Sequence, residues 1–257
     1  MKRHSSAQYK RWNLKCKRIM RNIYYRILHY GAKILKWPSV TLNYCLGSFL
    51  YKKAPMCRKD MNYRIFSKEH GRYGEFQLWR KARKCFSDNT YWLSNLYLPK
   101  GDGTTCEIDL IAISDRGIFV FESKNYNGWI YGDTKRPYWY QMIRRDIRRK
   151  PKKFSFFNPI MQNAMHCRVL REIANADDKI VHSFVVFGDQ CTLKEVCFDP
   201  KKSTVCKNNS VGRCIRKYKK ESLSRGEIER IYRLLKQYTD VSFYEKMTHI
   251  EKIQEKK

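Results

Sequence analysis

Phe119-Val120-Phe121-Glu122-Ser123-Lys124 is the stretch on which the reading of this chain turns. Three large apolar residues follow one another without alternation, the pattern of a strand covered on both faces. They run into an acid and a lysine two positions apart, which puts Glu122 and Lys124 on one face of that strand. Upstream, the tight turn Asp115-Arg116-Gly117 leads back to a second apolar run, Glu107-Ile108-Asp109-Leu110-Ile111-Ala112, again with an acid inside it. Strands joined by so short a turn pair antiparallel. The thirteen positions between Asp109 and Glu122 let their carboxylates meet across that pair. Ionised groups at the end of a buried strand are costly unless they are paired or hold a metal ion.

Outward from this hairpin the chain alternates in type. Residues 71–86 predict a helix, with Phe76, Leu78, Trp79 and Ala82 as its apolar positions, and that helix carries Glu75. Residues 91–98 predict a strand, followed by turn residues Gly101-Asp102-Gly103. Asn127-Gly128 opens a short hairpin through Tyr131 and Trp139, and Asn158-Pro159 starts a helix to about Ala174. A buried strand is expected over 179–188, a short strand near Thr204–Cys206, and helices over about 211–220 and 224–238. Four regions follow: a basic amphipathic region, 1–66; a core, 67–190; a strand and helices completing the domain, 191–244; and a polar tail, 245–257. Strands alternating with helices place the core in the α/β class.

Lys and Arg number 54 against 24 Asp and Glu, a formal net charge of +30. Self-repulsion of that size opposes compaction. A polyanionic partner offsets it: nucleic acid first, an anionic membrane surface second. Residues 1–60 hold fifteen of the basic residues and a single acid, Asp60. Ile19, Ile23, Ile27 and Tyr30 recur there at helical spacing, a basic amphipathic pattern that suits a membrane surface, a phosphate-binding arm, or packing on the main domain. The uncharged run Trp37–Tyr51 is too short and polar to span a bilayer. The ten cysteines include no CxxC pair, which argues against a structural zinc, and with no secretory signal evident they read as reduced thiols in a cytoplasmic protein.

The acids and the lysine suit phosphodiester cleavage. That reaction needs a divalent cation to offset phosphate charge and to lower the pKa of an attacking water. Mg2+, or Mn2+ in its place, takes oxygen ligands, one or two of them carboxylates. Asp109 and Glu122 are the natural ligands, the Ser123 carbonyl a third, and Glu75 a further contact. Lys124 would orient the water and stabilise developing charge. On its own an acid followed by Glu-x-Lys is a weak motif, and a cross-strand salt bridge explains it equally well.

The wider context resembles the nuclease-related domain (NERD) family of the PD-(D/E)xK nuclease superfamily. The resemblance rests on Gly71-Arg72-Tyr73-Gly74-Glu75, Glu107-Ile108-Asp109-Leu110, Arg116 through Tyr126, Gly128-Trp129-Ile130-Tyr131-Gly132, and Asn158-Pro159-Ile160-Met161-Gln162-Asn163. These blocks occur in the family's order over about 71–190. The resemblance implies a restriction-endonuclease-like core, a central mixed β-sheet flanked by helices, with Asp109, Glu122 and Lys124 on adjacent strands and Gln162 facing them from the next helix. It implies a metal-dependent nuclease, DNA ahead of RNA as substrate. The alternative is a nucleic-acid-binding module of the same fold without turnover, possibly membrane-associated.

One stretch departs from the family pattern. Seven of the ten residues from Arg144 to Lys153 are basic: Arg144, Arg145, Arg148, Arg149, Lys150, Lys152 and Lys153. The run leads into the Gln162 helix, and Tyr138, Trp139, Tyr140 and Phe154 flank it. It reads as a phosphate-gripping loop with stacking aromatics, against the plainer alternative of a solvated charge run.

Overall fold

The computed structural model describes residues 46–57, 63–144 and 150–239. The amphipathic pattern at 19–30, most of the uncharged run at 37–51, the polar tail, and Arg145, Arg148 and Arg149 lie outside the described residues. The chain from Ser48 onward forms one compact unit.

After a single helical turn at Tyr63–Phe66, the unit runs α1 (His70–Ala82), β1 (Tyr91–Pro99), β2 (Thr105–Ser114), β3 (Gly117–Lys124), β4 (Gly128–Asp133), β5 (Tyr138–Ile143), β6 (Lys152–Phe157) and α2 (Pro159–Ala174). It closes with β7 (Val181–Phe187), β8 (Cys191–Cys197), β9 (Thr204–Lys207), α3 (Val211–Ile215) and α4 (Arg225–Lys236). The single central sheet expected from the sequence is two mixed sheets. One has five strands in the order β1-β2-β3-β7-β9; the other has four, in the order β6-β5-β4-β8. The separation begins at the non-strand residues 125–127 and at Gly128, whose φ of +71° is a conformation few other residues adopt; a Cβ there would strike the Met142 carbonyl oxygen.

Both faces of the larger sheet are covered, as the uninterrupted apolar runs predict. Leu110, Ala112, Phe119, Phe121 and Phe184 pack with Phe76 and Trp79 of α1 and with Tyr51, Met56, Tyr63 and Phe66. Ile111, Ile113, Ile118 and Val120 pack on the other side with Val169 and Leu170 of α2 and Ile228, Ile231 and Leu235 of α4. Gly117 makes the β2–β3 turn at φ +114°, where a Cβ would run into the Ile180 carbonyl oxygen. The first helix of the C-terminal part is shorter than predicted, ending at Ile215.

Two strands escape the sequence reading. β6, expected as loop, has five of its six residues exposed and forms the edge of the smaller sheet. β8 runs parallel to β4 with only Cys191 buried. Trp139, read as a stacking aromatic, is instead fully buried: its indole lies parallel to the Phe187 ring at 6.1 Å and donates Nε1–H to the Asp133 carbonyl at 3.0 Å.

Candidate active site

The β2–β3 ladder stops at Leu110 opposite Phe121. The next rung would pair Asp109 with Glu122. Instead the Asp109 carboxylate enters the gap, and its Oδ2 accepts the Ser123 amide at 2.7 Å. On its other side β3 stays paired with β7 through Glu122, Ser123 and Lys124. The two strands thus fork at the two acids. In an extended strand the N–H and C=O of one residue point to the same side. The Ser123 carbonyl therefore faces the fork beside Asp109, while the Lys124 carbonyl faces β7 and accepts the Gly188 amide at 2.9 Å.

Glu122 and Lys124 share a face, as their spacing predicts, and Lys124 Nζ lies 2.6 Å from Glu122 Oε1. The same ammonium donates to Gln162 Oε1 at 3.1 Å, so α2 presents Gln162 to the site. Asn163 fixes this presentation. It is wholly buried, and its Nδ2 donates to the Val120 and Phe184 carbonyls and to Ser183 Oγ at 2.9–3.2 Å, tying α2 to β3 and β7. One turn on from Gln162, the buried His166 brings Nδ1 to 3.4 Å from Glu122 Oε2. Asn158 anchors the helix start, capping the Ile160 and Met161 amides while its Nδ2 donates to three carbonyls of the β4–β5 turn.

Glu75 comes in from α1. Asn125, just after Lys124, donates to the His70 carbonyl at 2.6 Å. Gly74 permits this approach, since a Cβ there would lie 2.8 Å from Asn125 Cβ; a Cβ on Gly188 would meet Asn125 Oδ1 at 2.6 Å. Asn125, Asn163 and His166 did not stand out in the sequence as site residues. Asn163 and His166 carried a legible signal all the same, being polar residues on the face of α2 defined by Ile160, Cys167 and Leu170. The structure thus brings Glu75, Asp109, Glu122, Ser123, Lys124 and Gln162 to one end of β3. Of the basic run, Arg144 and Lys150 are exposed, and Lys152 and Lys153 lie on β6.

Burial first, and neighbouring acids second, raise the pKa of all three carboxyls. Burial, then the charges of Glu122 and Glu75, hold the Asp109 carboxyl well above the usual carboxylate range, against the pull of Lys124 and the Ser123 amide. Burial raises Glu122 in spite of Lys124. Burial, then Glu107, pushes Glu75 up to about 7. Glu107 itself accepts a hydrogen bond from the Tyr97 hydroxyl at 2.8 Å. Burial draws Lys124 down, but Glu122 and Asp109 outweigh it and the ammonium ends up strengthened.

Such a cluster suits a divalent cation. Oε2 of Glu75 and Oε2 of Glu122 are buried and accept no hydrogen bond, and each is a carboxylate oxygen, the ligand type Mg2+ prefers. Among the described residues no three His, Cys, Asp or Glu side chains close around a point as a complete protein cage. Mg2+ needs none: it keeps several waters and takes one or two carboxylates plus substrate oxygens.

A family model described as nuclease-related domain (NERD) matches residues 70–188, the span containing every residue of this site. An uncharacterized protein of Bacillus anthracis is 35% identical over 162 residues, covering 63% of this chain and 73% of the relative. The chain belongs to the nuclease-related domain family. Its mixed sheets flanked by helices are the α/β architecture that the NERD resemblance implied. Among the described residues, no helix of this NERD protein is long and apolar enough to cross a membrane.

The raised acids give a pH prediction. A carboxyl whose folded pKa exceeds its unfolded value holds more protons when folded, so stability falls as pH rises between the two values. For Glu75 that window runs from 4.5 to about 7. In chelator, the thermal midpoint of the wild type should decline across this window more steeply than that of Glu75→Gln, by differential scanning calorimetry. Parallel curves would show that Glu75 is not perturbed.

Proposed function

We propose that this protein is a Mg2+- or Mn2+-dependent nuclease hydrolysing phosphodiester bonds of nucleic acid, with DNA the first substrate to test. The observation that supports the reading is the fork of β2 and β3, where the Asp109 carboxylate takes the Ser123 amide and Lys124 meets Glu122, while Oε2 of Glu75 and Oε2 of Glu122 accept no hydrogen bond. Asp109, Glu122 and the Ser123 carbonyl would hold the cation, with Glu75 beside them. When bound, the ion supplies charge to the phosphate and acidity to a water ligand.

The chain's own groups divide the remaining work. Lys124 is kept protonated by Glu122 and Asp109, so it meets the phosphate as a cation and stabilises charge developing on the scissile group. Gln162 holds the lysine amine from the other side and limits its rotation. Asn163, through its three hydrogen bonds, keeps Gln162 in place. The test is a panel of circular and linear DNA and RNA, each incubated with Mg2+, Mn2+ or chelator. Cleavage dependent on metal supports the reading; tight binding with no cleavage under any metal would make the protein a binding module.

Affinity for the polyanion rests on charge spread over the surface, consistent with the +30 excess. Within it, the run Arg144 to Lys153 is proposed to grip phosphates. Replacing Arg144, Arg145, Arg148 and Arg149 with Gln should flatten the dependence of log affinity on log salt by about three units, at roughly 0.7–0.9 per phosphate contact. Turnover at saturation should change little. Fluorescence anisotropy at several salt concentrations checks this, and an unaltered slope would remove the run from the interface. Residues 1–60, with their fifteen basic residues, remain the proposed region of contact with an anionic membrane surface, and a cytoplasmic location fits both partners.

A further inference from the structure

The smaller sheet turns one face toward the core through Ile130 and Trp139 and the other toward solvent. Alternation and register define the outer face: Trp129 pairs with Met142, Tyr131 with Tyr140, and Tyr138 with Phe157. On a surface strand polar side chains normally occupy these positions. Here Trp129 is 38% exposed, Tyr138 64% and Phe157 48%. In the middle, Tyr131 and Tyr140 stack in parallel at 4.9 Å, and Lys153 caps the Tyr140 ring at 4.2 Å. That central column uses its ring faces internally. The rings on either side of it are more open: Trp129 with Lys194 at 5.3 Å from its centroid, and Tyr138 in edge contact with Phe157 at 6.2 Å.

We propose that this face is a stacking platform for single-stranded nucleic acid, feeding the site at the end of β3. Three properties select that occupant. The platform joins aromatic rings to Lys153 and Lys194, the combination that binds bases by their faces and the backbone by its charge; Glu195, opposite Tyr131, is an acid within it. Successive outward positions on one strand are about 7 Å apart, roughly twice the 3.4 Å spacing of stacked bases. Bases laid on successive rungs must therefore be splayed apart, as a single strand allows and a duplex does not. Finally, the platform is tethered to the proposed site at two points. Trp129 is five residues from Lys124, and Phe157 is five residues from Gln162, so each lies within about 18 Å of it along the chain. The inference deepens the nuclease reading and rests on it, because it names the strand state of the substrate.

The test is fluorescence anisotropy of the full chain in chelator, with a labelled oligothymidylate of about 16 nucleotides, the upper site size of a single-strand-binding fold, against a labelled duplex of equal length. Trp129→Ala and Tyr138→Ala should each weaken the single-strand Kd by about 5- to 150-fold, the range for losing one stacked base. Duplex affinity, the salt slope and the thermal midpoint should stay unchanged. Lys153→Gln should instead flatten the single-strand salt slope by about 0.7. Equal single-strand affinity in wild type and both aromatic variants overturns the proposal. So does loss of self-association, or of binding to anionic vesicles, without a change in single-strand affinity, since the face would then serve a second copy or a lipid surface. Metal-dependent cleavage is scored separately: its survival alongside a failed platform test overturns the platform alone, and its absence with intact stacking overturns the nuclease reading alone.

Discussion

Lys124→Met should lower turnover by roughly 10²–10³-fold, the effect of removing one group that stabilises developing charge, with nucleic-acid affinity nearly unchanged. Lys124 is a single cation among 54 basic residues, so its share of ground-state binding is small. Its placement is specific: Nζ lies 2.6 Å from Glu122 Oε1 and 3.1 Å from Gln162 Oε1, at the end of β3. The substitution also leaves Glu122, 1% exposed, without its neutralising partner. Breaking a buried pair by removing one member costs about 3–5 kcal/mol. The variant should therefore melt lower than wild type in chelator and regain part of the difference on adding Mg2+, which would supply the missing positive charge. Single-turnover cleavage and a melt with and without Mg2+ read both effects. A variant that cleaves at the wild-type rate would make the Lys124–Glu122 contact a structural salt bridge and nothing more.

Removing residues 1–60 should unfold the unit, whereas a chain starting at Ser48 retains every residue of its core. Tyr51 and Met56 are each 2% exposed. The Tyr51 ring stacks on Phe66 at 4.2 Å and meets Phe76 edge-on at 6.0 Å. Phe76 is the neighbour of Glu75 on α1, so these aromatics brace the helix that carries the acid. Truncating a buried large side chain costs about 2–5 kcal/mol, and the loss of two or more approaches the whole stability of a domain, about 5–15 kcal/mol. Circular-dichroism melts of the two truncated forms should differ by a large drop in midpoint for the chain lacking 1–60. Equal midpoints would show that Tyr51 and Met56 contribute nothing to the core.

The hairpin at the heart of the site was legible because its signals agree. Uninterrupted apolar runs, a tight turn at Asp115-Arg116-Gly117 and the two-residue spacing of Glu122 and Lys124 all specify the same strands, and β3 spans Gly117–Lys124 as predicted. The fork was not legible. The sequence places Asp109 opposite Glu122, but only the end of the ladder at Leu110 and Phe121 shows the carboxylate turning into the gap to take the Ser123 amide. β6 was hidden by its own exposure, since an edge strand reading Lys152-Lys153-Phe154-Ser155-Phe156-Phe157 has no buried face to impose alternation. β8 failed for the same reason. Trp139 misled because aromatic neighbours on one strand look alike in sequence, and the pleat sends Tyr138 and Tyr140 outward while Trp139 fills the space beside Gly132.

Asn163 shows the converse. A polar residue on an apolar helical face announces a buried hydrogen-bonding task, and its three partners on β3 and β7 are that task. Asn125, wedged against Gly74 and Gly188, had no such signal, because the glycines that admit it come from segments far apart in sequence.

If Asp109 and Glu122 hold the cation on which cleavage depends, single-turnover cleavage of a labelled DNA during a Mg2+ titration should separate wild type from Asp109→Asn. Asn at this position can still accept the Ser123 amide, so the fork persists while the ligand charge is lost. Wild type should not cleave in chelator, its rate should rise and saturate with Mg2+, and Asp109→Asn should give a flat, near-zero response. Cleavage in chelator, or a Mg2+ response in Asp109→Asn matching the wild type, would show that these carboxylates do not hold a catalytic cation.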